Sequence, residues 1–98
     1  MTNEFFRAQL GTIFRVAVAG ADIPLQLVNV SDVRASGGFE AYSVFFHGPA
    51  THVLNQGTYT LGHERLDALS LFIVPITGSN AERIVYEACF NQRAQSRD

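Results

Sequence analysis

Short β-prone segments follow one another through almost the whole chain, and the gaps between them are too short for crossover helices. Six such segments cover residues 12–18, 24–33, 39–47, 56–61, 69–76 and 83–91. Each is rich in β-branched and aromatic residues, and turn chemistry separates them. The punctuation is Gly20-Ala21-Asp22, the run from Arg34 to Gly38, Gly48-Pro49, Gly62-His63-Glu64-Arg65 and Thr77-Gly78-Ser79-Asn80. A parallel pair needs a connection of about a dozen residues or more. The spacing therefore predicts an all-β fold, a small antiparallel barrel or a two-layer sandwich of about six strands. The barrel is preferred, because six long strands in 98 residues leave costly open edges in so thin a sandwich.

The front of the chain has a different pattern. Thr2-Asn3-Glu4 supplies capping residues and an acid, suited to the positive end of a helix. Phe5, Phe6 and Leu10 give an apolar side, and Gly11 stops the run. A short helix over residues 3–10 is expected, docked on the sheet because so short a helix is marginal alone. Residues 92–98 are polar and expected to form a flexible tail. The whole of 1–98 reads as a single β domain.

Charge narrows the function. Only 16% of residues are charged, against about 25% in typical domains. The nine acids face seven bases, all of them Arg and spread from residue 7 to residue 97. Nucleic-acid binding calls for a clustered basic surface, so none is expected. There is no apolar stretch long enough for a transmembrane helix, and the N-terminus lacks the order of a signal peptide. A soluble, cytoplasmic protein is the expectation. Cys89 is the single cysteine, which excludes an internal disulfide and a Cys-rich zinc site.

Two local irregularities stand out. In 24–33 the apolar phase switches between Leu27 and Val28, which predicts a bulge or a strand buried on different faces at its two ends. In 39–46, Phe39, Ala41 and Phe45 share one face while Tyr42, Val44 and Phe46 share the other. In 69–76, Leu69, Leu71 and Ile73 oppose Phe72, Val74 and Ile76. A strand with one wet face should alternate. The surplus predicts a protein partner or self-association, with Tyr42, Val44, Phe46, Phe72 and Val74 as interface candidates.

Groups that carry chemistry are sparse. His47, His52 and His63 flank the turns between 48 and 65, with Glu64 and Asp67 near His63. Their spacing matches no helical or strand metal-ligand pattern, so no metal or other cofactor is assigned. Cys89 lacks an evident electropositive neighbour, and its inert reading is preferred. Gly37-Gly38 has no following Lys and helix and reads as a turn. No catalytic residue is assigned. Were the barrel to hold a small molecule, His47, Tyr59 and His63 would be its polar contacts. Arg15 and Glu87 would face each other if the first and last strands closed the sheet.

The chain resembles a small bacterial family of unknown function. The likeness rests on Phe46-His47-Gly48-Pro49, Gln56-Gly57-Thr58-Tyr59-Thr60-Leu61-Gly62-His63, Leu71-Phe72-Ile73-Val74-Pro75-Ile76 and Tyr86-Glu87-Ala88-Cys89-Phe90-Asn91. Leu10-Gly11-Thr12 and Phe14-Arg15-Val16 extend it to the front. Members of that family tend to occur beside phage-tail-collar-like proteins. The resemblance thus implies a structural or assembly role, as an accessory of a phage-tail-like or surface assembly, and implies no activity.

Overall fold

A computed structural model describes residues 2–93. A single helix, α1 (Asn3–Arg7), precedes seven strands: β1 (Ile13–Val18), β2 (Ala21–Val30), β3 (Arg34–Ser36), β4 (Phe39–Pro49), β5 (Gly57–Leu61), β6 (Leu69–Ile76) and β7 (Arg83–Arg93). All pairs are antiparallel, in the order β1-β2-β4-β7-β6-β5, with β3 on β4 beyond the end of β2. The sheet curls until its two ends meet at one pair, Arg15 with Gly62. Two backbone hydrogen bonds of 2.8 Å join them, one in each direction. The result is a nearly closed six-stave barrel. Arg15 spends both its backbone groups on Gly62, so Pro24, opposite it on β2, has no donor to supply to β1.

The interior is filled by large side chains. Phe14, Leu25, Leu27, Phe46, Leu61, Ile73 and Tyr86 are all completely buried. Phe14 and Phe46 meet edge to face at 5.6 Å, the arrangement that aromatic quadrupoles favour. The Tyr86 hydroxyl accepts the backbone N–H of Leu54 at 2.8 Å, which satisfies a buried donor and pins the β4–β5 loop across the barrel mouth. Room for the Tyr86 ring comes from Gly48. A Cβ there would lie 2.7 Å from Leu25 Cδ2 and 3.0 Å from Tyr86 Cε2.

The phase switch in β2 is a bulge. Leu27 pairs with Phe46 and Asn29 with Phe45, so Val28 is the extra residue. It lets Leu25, Leu27 and Val30 all point inward.

β4 and β7 pair over eleven positions each and outrun the barrel. With β3 they form a ribbon that makes the molecule elongated, 49 × 29 × 22 Å. The inner side of this ribbon is covered by α1. Thr2 caps the helix through its side-chain oxygen, which accepts the Phe5 N–H at 3.1 Å. Phe6 is fully buried, with its ring 5.3 Å from Phe90 and 6.4 Å from Tyr42. Tyr42 and Phe90 stack at 4.8 Å. Arg7 also ties α1 to the body through Asp32 and the Val30 carbonyl. The helix stops at Arg7, short of the residue 10 expected, because tighter turns take the chain through Gly11 at φ 84°.

Several expectations are corrected. Tyr42, Val44 and Phe46 form the core of the molecule itself, at 0–1% exposure, and are not an interface. Both faces of 39–46 are apolar, but the barrel encloses the set with the bulkier members. Arg15 and Glu87 do not meet, because β1 closes on β5 while β7 lies between β4 and β6. Arg15 pairs with Asp22 instead, at 3.4 Å. Gln92 and Arg93, assigned to the tail, belong to β7; 94–98 lie outside the described residues. The seventh strand, β3, lies in the run from Arg34 to Gly38, where the sequence predicts only a connector. Gly37 and Gly38, at φ 59° and 83°, turn it back tightly onto β4.

Replacing Gly48→Ala should cost about 1–3 kcal/mol. Chemical denaturation would show this as a lowered midpoint with an unchanged slope.

Candidate functional site

The closing pair of the barrel leads directly into His63. Its Nδ1 accepts the Arg65 backbone N–H at 3.0 Å. That leaves the proton on Nε2, which donates to Thr12 Oγ1 at 2.9 Å. The Thr12 hydroxyl in turn donates to the Gln9 carbonyl at 2.7 Å. The imidazole also packs 4.7 Å from the Phe14 ring. Both ring nitrogens are thus used within the chain. The histidine latches the seam to the turn after α1, and it has no nitrogen to offer a metal or a substrate proton.

Beside this latch lies a cleft of about 450 Å³, lined by Thr12, Ile13, Arg15, Gly62, His63 and Glu64. Its charged walls are engaged locally. Arg15 pairs with Asp22, and Glu64 accepts from Arg65 at 3.3 Å. Asp67 lines a different cleft with Phe5, Arg65, Leu66 and Leu69. The His63, Glu64 and Asp67 grouping therefore does not converge. Among the described residues, no group of three or more His, Cys, Asp or Glu side chains is placed to hold a metal ion.

The other ligand candidates are elsewhere. Tyr59 donates its hydroxyl proton to the Asn55 carbonyl at 2.7 Å. His47 lies on the outer face of β4, opposite Val85 of β7. Desolvation, with a smaller contribution from the Arg83 charge, lowers its pKa below the usual histidine value. His52 is exposed, with Nδ1 3.1 Å from the Thr51 hydroxyl. Among the described residues, His47, Tyr59 and His63 share no hydrogen-bond partner. Cys89 also faces outward, with Sγ 3.6 Å from Ser43 Oγ. Partial burial first, and then the Glu87 carboxylate, push its thiol pKa up, away from the reactive thiolate.

What remains is the outer face of the central staves. Phe45, Glu87 and Val74 form one row across β4, β7 and β6, and His47, Val85 and Ile76 form the next. The apolar members are only half-buried. Phe72, farther along β6, is 54% exposed. Of the five interface candidates, Phe72 and Val74 are the two on this face. The sequence placed Ile76 on the face of Phe72 and Val74 but missed Val85 as their neighbour, and it missed Thr12 as the partner of His63. Both missed contacts join separate parts of the chain that only the fold brings together.

A family model described as a domain of unknown function (DUF6916) matches residues 1–90, and the chain belongs to this family. No curated protein and no solved structure matches it.

Two measurements follow from these contacts. His63→Ala removes two hydrogen bonds at the seam and should cost about 1–3 kcal/mol in denaturant unfolding. The pKa of His47 is lower in the folded state than in the unfolded state, so the unfolded chain takes up the proton first. Stability should therefore fall as pH drops below about 6.5. In His47→Gln that part of the pH dependence should be absent from urea midpoints measured across the range.

Proposed function

We propose that this domain is a non-enzymatic protein-interaction module that pairs with a second copy of itself through the outer face of β4, β7 and β6. The observation that carries the reading is the apolar character of that face in a barrel whose interior is already full. Phe45, Val74, Ile76 and Val85 present nonpolar area where a solvated barrel face is polar. A chamber for a small ligand finds no support, since Phe14, Phe46 and Tyr86 occupy the space between the staves.

The charge pattern favours a second copy as the occupant. Arg83, Val85 and Glu87 lie on the outer side of one strand, a base and an acid placed symmetrically about a valine. Neither charge has an ion-pair partner among the described residues. Two such faces related by a two-fold axis at Val85 bring each Arg83 to the other copy's Glu87. A self-complementary patch of this kind is what an isologous dimer requires. The likeness to a family found beside phage-tail-collar-like proteins supports an accessory role in a phage-tail-like or surface assembly, for a domain made in the cytoplasm. No helix among the described residues is long and apolar enough to cross a membrane.

Light scattering at high micromolar concentration should give twice the monomer mass. Arg83→Glu or Glu87→Arg alone should weaken the dimer about tenfold or more, roughly 1.4 kcal/mol. The double reversal should restore it. Phe72→Asp should stay folded, while Phe46→Asp should unfold. A monomer mass throughout overturns the reading.

A further inference from the structure

The far end of the β3–β4–β7 ribbon combines a free strand edge with a basic, aromatic surface. β7 pairs with β4 along its whole length, but β6 pairs with it only at Val85, Tyr86 and Glu87. From Ala88 to Arg93 the second edge of β7 has no ladder among the described residues, and no other backbone hydrogen bond reaches it. Every second residue there presents its N–H and C=O to the side away from β4.

The side chains around this edge are sorted by face. Ser36, Phe39 and Arg93 form one outward row, and Arg34, Ala41 and Asn91 form the next. Phe39 is 51% exposed. Arg34 and Arg93 make no ion pair among the described residues, whereas Arg7, Arg15 and Arg65 each do. No acid lies on these two rows. Glu40, the nearest in sequence, points to the opposite face, into a cleft it shares with Glu4 and Gln92. On that inner side Ala88 is buried in the core, and the edge offers the half-buried Phe90.

We infer that the Ala88–Arg93 edge of β7 accepts an extended acidic segment of a partner protein, added as a further strand. Main-chain hydrogen bonds supply the attachment, as in other strand additions. Alternation supplies the selectivity. Outward residues of the incoming strand meet Arg93, while Arg34, on β3 beyond β4, adds positive charge to the same face; both favour carboxylates. Inward residues meet the exposed part of Phe90, which calls for an apolar side chain. The inference shares with the proposed function the premise that the domain binds protein. It uses a different surface, so the dimer mass and the test below succeed or fail separately.

The probe is a short fluorescein-labelled peptide alternating Glu with Val, set against its Lys-with-Val counterpart. Fluorescence anisotropy should show binding of the Glu peptide alone. The Arg34→Glu/Arg93→Glu variant carries both changes at exposed positions, and its fold is checked by circular dichroism. It should bind the Glu peptide at least tenfold more weakly. Amide exchange should slow at alternate residues within 88–93 of the wild-type protein when the Glu peptide is present. Equal binding of both peptides, no binding of either, or protection elsewhere overturns the inference. Competition by a single-stranded oligothymidine would assign the surface to nucleic acid, and a change of protein mass in the double variant would assign it to a second copy. Either result also overturns it.

Discussion

The volume inside six antiparallel staves is small and fixed, and the rest of the structure follows from filling it. Tyr86, Phe46 and Phe14 take most of the space, and the chain adjusts elsewhere to admit them. Gly48 gives up its side chain where the Tyr86 ring passes. The bulge at Val28 keeps β2 pointing its leucines inward on one side and Val30 on the other. The buried tyrosine hydroxyl is satisfied by a loop amide, which turns a polar liability into the anchor of that loop. The core is specific because large rings leave few alternative packings.

Closure of the barrel is achieved with little. One residue pair joins β1 to β5, and the surrounding side chains make up the difference. His63, Thr12 and the Gln9 carbonyl run as a chain of hydrogen bonds from the seam to the turn after α1. The helix itself is too short to stand alone. It is held by the burial of Phe6 and by Arg7. His63, which in isolation suggests chemistry, is here a joint between elements. The histidine has committed both nitrogens to protein partners, and the outward-facing cysteine is kept in its unreactive form.

Much of the architecture was legible in the sequence, because strand segments, turn glycines and the apolar phase are local signals. The six main strands, the antiparallel sheet, the capped N-terminal helix and the irregularity at 27–28 were all readable in this way. The inward face of β4 was not. Phe39, Ala41 and Phe45 are as nonpolar as Tyr42, Val44 and Phe46, so a period of two cannot tell the core from the outside. The partner of β1 was not legible either, since closure depends on where the last strand inserts. With β7 in the middle of the sheet, Arg15 finds Gly62 and Asp22, and Glu87 finds neighbours on β4 and β6. The candidate surfaces were half visible. Phe72, Val74 and Ile76 share a face by their alternation alone, while Val85 and the Arg34–Phe39–Arg93 grouping emerge only from the register.

The position of β7 also governs how the molecule comes into being. The stave made last sits at the centre, between β4 and β6, and its pairing with β4 reaches back as far as Phe39 from Arg93. A growing polypeptide that lacks it has β4 on β2 and β6 on β5 with no strand to join the two parts of the sheet. Assembly on the ribosome must therefore wait until β7 has been made. The domain then forms as one late, cooperative event rather than stave by stave.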